Sequence, residues 1–498
     1  MNVKEIINFD NEVTLFGNTG IQFMDFSLSL DSGKAVSMAF IEQEGDKDET
    51  NQDVEIILDE LTRNENGDYV NSKSGELEDS EKIYNVQLNS ALEVFEGCWL
   101  PAPIHKRQGI ITKGEKRYEK GPTLWSRMMV VKMEKPDEKG NLFRLIIAFD
   151  TKVLEKRGEN RPYTNIELRD IQSESNFDFL SSFSDISWFL YEKWVRAWLT
   201  EIYSENRKAR DLKFTKLQDG SIAQSAFWSL YLVLIKGVIE KCEIPSIKLI
   251  NTFSTPRTNP PIDVNIVLDI GNNRTCGVLI EEGHQTYLDL TESKPLELRD
   301  LTQPQFSYNQ PFNSFVEFAE IEFGSSIHAR RGGAINTFFW PSPLRVGQEA
   351  KNLIAGSKGV GGYTGISAPK RYLWDEDETI QQWYFNQGKN DIAESKIVVG
   401  KIMSRLTSSG DLLTRILNDK NKYNASPAIQ ANFSRSSMLS LMIMEIFCQA
   451  FRQMNDPSYR QATLNSRVPR EAKRLILTLP SATPIVEKNI FEKRAKDA

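Results

Sequence analysis

Histidine and cysteine are scarce in this 498-residue chain, with three and four copies respectively. The thiols, Cys98, Cys242, Cys276 and Cys448, lie far apart and form no C-x-x-C pair. With the histidines equally scattered, no structural zinc pattern can be drawn. The usage points to a reducing compartment and to free, mostly buried thiols. Long apolar runs are also missing. The most apolar window, AFWSLYLVLIKGVI at 226–239, is interrupted by Lys236 and is shorter than the ~20 residues a membrane span needs. It reads as a buried helix, and no integral membrane segment is expected. The opening MNVKEIINFDNEV places acidic residues where a signal peptide needs an unbroken apolar stretch. A cytoplasmic protein, as synthesised, is therefore expected. An excess of positive charge is absent too: the net charge is −7 and the pI is near 5.5. That argues against nucleic acid as a partner of the chain as a whole.

What is present is a chain too long for one ordinary core, so two or three domains are expected. Residues 1–165 form a β-rich N-terminal domain on this reading. VTLFG, AVSMAFIEQ, VEIILDEL, RMMVVKME and LFRLIIAFD are short β-rich runs between turn-forming clusters. The acidic EGDKDETNQD (44–53) reads as a solvated loop. WLPAPIHKRQG (99–109) gathers His105, Lys106 and Arg107, and reads as an exposed loop whose cations snorkel to water. A helical segment follows over 166–254. Within it, SDISWFLYEKWVRAWLTEIYSENR (184–207) repeats Trp188, Tyr191, Val195, Trp198, Leu199 and Ile202 at helical spacing, with Ser184 as the expected cap. The proline-rich TPRTNPPID (255–263) is a linker and the clearest boundary.

The pattern changes in NIVLDIGNNRTCGVLIEEG (265–283). Val264–Leu268 and Thr275–Ile280 read as two strands joined by a tight polar turn. Asp269 ends the first strand, and Gly271 permits close backbone approach. Such a turn can present N–H groups to anionic oxygens, and one carboxylate at the strand end can hold Mg²⁺ through water. An ordinary hairpin has the same signature, so the loop alone does not choose between the two. Cys276 is expected to be packed rather than reactive, having no His or Cys neighbour in sequence. Three later segments follow in order: PLRVGQEAKNLIAG (343–356), which ends in a short amphipathic helix, GISAPKRYLW (365–374), and RLILTLPSATPIVEKNIFEKRAKDA (474–498), a buried strand, polar turn and helix. Taken alone, Lys370 and Arg371 could equally be a solvated surface pair.

In this order the segments resemble the first half of the nucleotide-binding domain of DnaK-type chaperones, in the actin/hexokinase/DnaK superfamily. SSMLSLMIMEIFCQAFRQ (436–453) is similar to the long helix before the last strand there. The variant loop D-I-G-N-N-R-T-C-G, behind a large β-rich region, more specifically resembles the SrfB family of bacterial virulence-associated proteins. The resemblance implies an α/β fold: residues 264–498 would be the first, incomplete lobe of a ribonuclease-H-like, actin-like ATPase, preceded by the β-rich region and the helical segment. It implies ATP and Mg²⁺ as cofactors. Asp269 would hold the metal through water. Gly271, Asn272, Asn273, Arg274 and Thr275 would wrap the phosphates, with Thr275 adding a hydroxyl. Lys370 would be the catalytic group near the γ-phosphate, and Pro480 would couple nucleotide state to conformation.

Asn272 and Asn273 stand where the chaperone loop has hydroxyl residues. Amides still donate to phosphate, so binding survives the change in principle, while turnover is in question. Three functions follow from the resemblance. The first is a virulence-associated protein whose ATP-dependent closure controls an unknown protein partner. The second is a scaffold that keeps the fold without turnover. The third, a small-molecule kinase of the hexokinase class, lacks an identifiable catalytic Asp. Only first-lobe motifs are present, so the chain is expected to be an N-terminal fragment that does not hydrolyse ATP by itself.

Overall fold

A computed structural model describes residues 3–30, 36–45, 56–108, 116–154, 163–250, 260–282, 291, 293–324, 337–357, 363–386, 396–413, 427–463 and 465–498. Most of the acidic segment and residues 255–259 of the linker lie outside the described residues. The chain is a mixed α/β structure with several antiparallel and mixed sheets.

All five predicted β runs of the first region are strands. The most deeply set is Phe143–Asp150, with every residue buried between Ile21–Leu28 and Ser126–Lys132 in an antiparallel sheet. A strand buried on both faces reads as a continuous apolar run. Ile21–Leu28 carries Gln22 and Asp25 in its middle and was not anticipated, because buried polar residues interrupt that signal. A second antiparallel sheet orders Tyr69–Asn71, Ile56–Arg63, Ser37–Glu44 and Ile83–Gln87.

Four local expectations are corrected. The predicted helix over 184–207 is two helices, Phe183–Leu190 and Lys193–Ala209. The cap is Ser182, whose side chain accepts from the Asp185 amide, rather than Ser184. His105–Gln108 is a strand, and its side chains are not freely solvated. His105 is buried, Lys106 donates to Asp170 at 2.8 Å, and Arg107 grips Asp178 through two bonds of 2.7 and 2.8 Å. The thiols are less buried than expected: Cys98, Cys242 and Cys448 are half-buried and Cys276 is exposed.

The helix Ala226–Ile239 is buried along almost its whole length, as its composition predicts. Asn176–Asp178 and Ser246–Ile250 join Glu12–Phe16, His105–Gln108 and Arg117–Lys120 in one mixed sheet. Elements on both sides of residue 165 thus share a sheet and a core. That core extends to Leu301, Phe323, Phe338 and Trp340 beyond the linker.

Beyond the linker, Ile262–Ile270 and Arg274–Glu281 form an antiparallel hairpin. Ser293–Pro295 and Phe312–Asn313 pair with its second strand, and Arg470–Leu477 runs parallel beside its first. Arg470–Leu477 was expected to be buried. It lies at one end of the sheet order, and most of its residues are exposed or half-buried. A strand with one neighbour and one covered face cannot bury more. The long helix Ser437–Asn455 packs against this strand, against Leu344–Val346 and against the last helix, Ile485–Asp497. Val264, Ile266, Leu268 and Ile270 point into that core, while Asp269 and Cys276, opposite each other in the register, face outward. Strand period two puts them on the same face, which is why Cys276 is exposed.

Candidate functional site

The turn joining the hairpin strands is closed by the Gly271 amide, which donates to the Arg274 carbonyl at 3.0 Å. A Cβ on Gly271 would stand 2.5 Å from that carbonyl oxygen, so no larger residue fits without opening the turn. Asn272, Asn273 and Arg274 are exposed at its tip. The underside is locked by Ser314, which sequence reasoning missed. Its hydroxyl donates to the Gly271 carbonyl at 2.7 Å, and its amide donates to the Asn273 carbonyl at 3.0 Å. Thr275 is 1 % exposed, and its hydroxyl lies 2.9 Å from that of Ser314. The Thr275 hydroxyl therefore faces inward and braces the turn, rather than reaching the exposed tip.

Ser314 also joins the turn to the lysine. Its carbonyl accepts from the Ala368 amide at 2.6 Å. Ala368, in a left-handed conformation at φ 53°, leads into the short 3-10 helix Pro369–Tyr372 that carries Lys370. The Lys370 ammonium donates to the Ile270 carbonyl at 2.8 Å and lies 5.3 Å from the Phe491 ring centroid. Partial burial pulls its pKa below the usual lysine range, and the Asp269 and Glu487 carboxylates oppose that pull.

Asp269 is exposed at the end of its strand. Thr478, just past the parallel strand Arg470–Leu477, donates its hydroxyl to the Asp269 carboxylate at 2.6 Å. The Thr478 amide donates to the Leu268 carbonyl at 3.1 Å, so the ladder continues to this residue. Parallel strands end on the same side of a sheet, and in open α/β sheets that side is where ligands bind. Cys276 sits across from Asp269, and burial together with this carboxylate raises its pKa, which makes it a poor nucleophile.

Asp269, Gly271 to Thr275 and Lys370, about a hundred residues apart in sequence, thus meet at one sheet end. Thr478, Phe491 and Glu487 complete the surroundings. Thr478 could have been found in the TLP stretch before Pro480; Ser314 had no sequence signal. Among the described residues no group of three or more His, Cys, Asp or Glu side chains could hold a metal. A single exposed carboxylate fits only a cation that brings its own water and phosphate ligands, as Mg²⁺ does. No described helix is long and apolar enough to cross a membrane.

No curated protein matches the chain. The sequence profile of the family described as virulence factor SrfB matches residues 2–498. That span covers both the β-rich first half and the hairpin half, and the chain belongs to the virulence factor SrfB family.

Proposed function

We propose that the turn Gly271–Arg274, with Asp269 and Lys370, is the phosphate-binding corner of an actin-like nucleotide-binding lobe, and that Mg²⁺–ATP is its ligand. The observation that carries this reading is the seating of Lys370 on the Ile270 carbonyl, beside Asp269. A cation held by a backbone acceptor at the mouth of a glycine turn is poised for an anion. Asn272, Asn273 and Arg274 supply further donors at the exposed tip. Bound Mg²⁺ would neutralise phosphate charge; Asp269 would hold its water shell, and Lys370 would orient the terminal phosphate. Nucleotide-dependent closure over this corner would control binding of a protein partner.

A second reading, a scaffold of the same fold without turnover, is favoured by a different observation. The Asp269 carboxylate already has a protein partner in the Thr478 hydroxyl, at 2.6 Å. Calorimetric titration of the chain with Mg²⁺–ATP and Mg²⁺–ADP tests the first reading, with Asp269→Ala and Lys370→Ala as controls. Binding lost in both variants supports it. Equal affinity in all three proteins leaves the scaffold. Steady-state phosphate release then separates binding from turnover.

A further inference from the structure

Away from the hairpin, a cavity of about 300 Å³ opens where the two halves of the chain meet. Its walls come from 319–324, 337–343 and 399–402, with Arg127 reaching in from the first half. Arg127 is 2 % exposed and lies on the strand Ser126–Lys132. Its guanidinium donates to the Phe323 carbonyl and stacks 4.1 Å from the Phe338 ring centroid and 5.0 Å from that of Trp198. Its Nε, however, finds no hydrogen-bond partner among the described residues, and neither does the buried hydroxyl of Thr337 on the same cavity. A buried donor left unpaired costs about 1–3 kcal/mol, and more if it is charged. Two on one cavity call for an acceptor that the described residues do not supply.

The charges around the cavity decide the sign of that acceptor. Burial pulls the Arg127 guanidinium down to about 9, against the Asp150 and Glu322 carboxylates, so it remains a cation at neutral pH. Asp150 is already engaged, accepting from the Phe338 and Lys152 amides at 2.9 and 3.1 Å. Glu320 pairs with Lys396 at 3.3 Å. At the mouth, the exposed Lys401 holds its ammonium 4.8 Å from the ring centroid of Phe339, which is itself 46 % exposed. Burial and the neighbouring Lys152 depress the Lys401 pKa. A negative ligand would offset the burial of the Arg127 charge.

Size and walls decide the rest. About 300 Å³ is the low end for organic ligands. Phe338, Phe339, Trp340 and Phe385 line the space with ring faces and edges. An inorganic anion would lose its hydration there without enough donors to replace it. We propose that this cavity binds a small organic carboxylate with a planar apolar body, its carboxylate on Arg127 and Thr337 and its body among the phenylalanine rings. This site is separate from the hairpin corner and does not depend on the nucleotide reading.

Calorimetric titration of the full chain at neutral pH with benzoate and 3-phenylpropionate tests the proposal. Their uncharged amides and inorganic phosphate serve as comparison probes. The expected result is binding of the aryl carboxylates with at least about tenfold preference over the amides, and no response to phosphate. Lys401→Gln at the exposed mouth and the isosteric Thr337→Val should each weaken carboxylate binding several-fold without moving the melting temperature. Amides binding as well as acids, phosphate binding alone, or affinity untouched by both substitutions would overturn it. So would the absence of heat with every probe at millimolar concentration, which would mean that water alone satisfies Arg127 and Thr337.

Discussion

The two halves of the chain fill their interiors by different means. Before the linker the largest fully buried side chains are aromatic: Trp125, Trp198, Tyr231, Phe16, Phe23 and Phe40. After it they are arginines: Arg299, Arg345, Arg452, Arg460, Arg470 and Arg494. Two of these fasten the halves together. Arg299 pairs with Asp25 of the strand Ile21–Leu28 at 3.0 Å, and Arg460 donates to the Thr14 carbonyl. Asp456 adds a third tie: it accepts from the Phe23 amide at 3.0 Å while holding Arg452 at 2.6 Å. Apolar packing is non-directional and tolerates many shapes. A buried guanidinium accepts only one arrangement of partners, which makes the second half and the junction geometrically exacting.

The largest effect should come from breaking one tie at the junction. Asp25→Ala leaves Arg299 charged, fully buried and short of its partner. Removing one member of a buried pair costs about 3–5 kcal/mol. Urea denaturation followed by tryptophan fluorescence should show that loss, and Asp25→Ala combined with Arg299→Met should recover a large part of it. A double variant no better than the single would mean that the contact is plain packing. Leu234→Ala, in the buried helix Ala226–Ile239, is the apolar counterpart. It should cost about 2–5 kcal/mol, with no second substitution able to restore it by charge removal.

A smaller effect separates two buried carboxyls by the sign of their pH dependence. Burial, with Asp300 and Glu445 adding to it against Arg345, holds Glu349 well above its ordinary value of 4.5. The folded state then keeps a proton that the unfolded state gives up. This contribution is full below pH 4.5 and is lost as pH rises from there toward the folded value. Glu297 runs the other way. Burial opposes its ionisation, but Lys4 and Arg452 outweigh burial and bring it to about 2. Its contribution is present above pH 4.5 and is lost as pH falls toward about 2. Glu349→Gln, which can still accept from the Leu301 and Thr302 amides at 2.9 and 3.0 Å, should therefore raise the melting temperature at pH 7 and leave it unchanged at pH 4. A gain of equal size at both pH values would show that Glu349 is not protonated in the fold.

The same contrast explains what was legible in the sequence. Apolar period and turn residues announce elements buried by hydrophobic contact. The five β runs and the helix Ala226–Ile239 were readable, as were both strands of the hairpin. Elements stabilised by buried charge were not: Asp25 hides the strand Ile21–Leu28, and Lys106 and Arg107 disguise a strand as a loop. At the candidate site, Asp269, Gly271 and Lys370 could be named from the order of motifs. Ser314 could not, because a lone serine carries no pattern and acts only through contacts 39 to 54 residues away, with Thr275, Gly271 and Ala368.

The smallest stability effect is expected from an identical substitution at the candidate site. Asp269→Ala removes the same carboxylate as Asp25→Ala, but from an exposed position with a single hydroxyl partner. Once freed, the Thr478 hydroxyl is also exposed and takes water in exchange. Lys370 keeps its bond to the Ile270 carbonyl, and Ser314 still locks the turn, since neither uses the Asp269 side chain. The cost should stay within about 0.5 kcal/mol, as for surface substitutions generally. Urea denaturation of the two variants side by side measures the difference. A cost for Asp269→Ala as large as for Asp25→Ala would make this carboxylate a structural joint between the strands Ile262–Ile270 and Arg470–Leu477. It would then be unavailable to a hydrated Mg²⁺, and the nucleotide reading would lose its metal ligand. A small cost keeps the carboxylate free for a ligand, which is what the proposed corner requires.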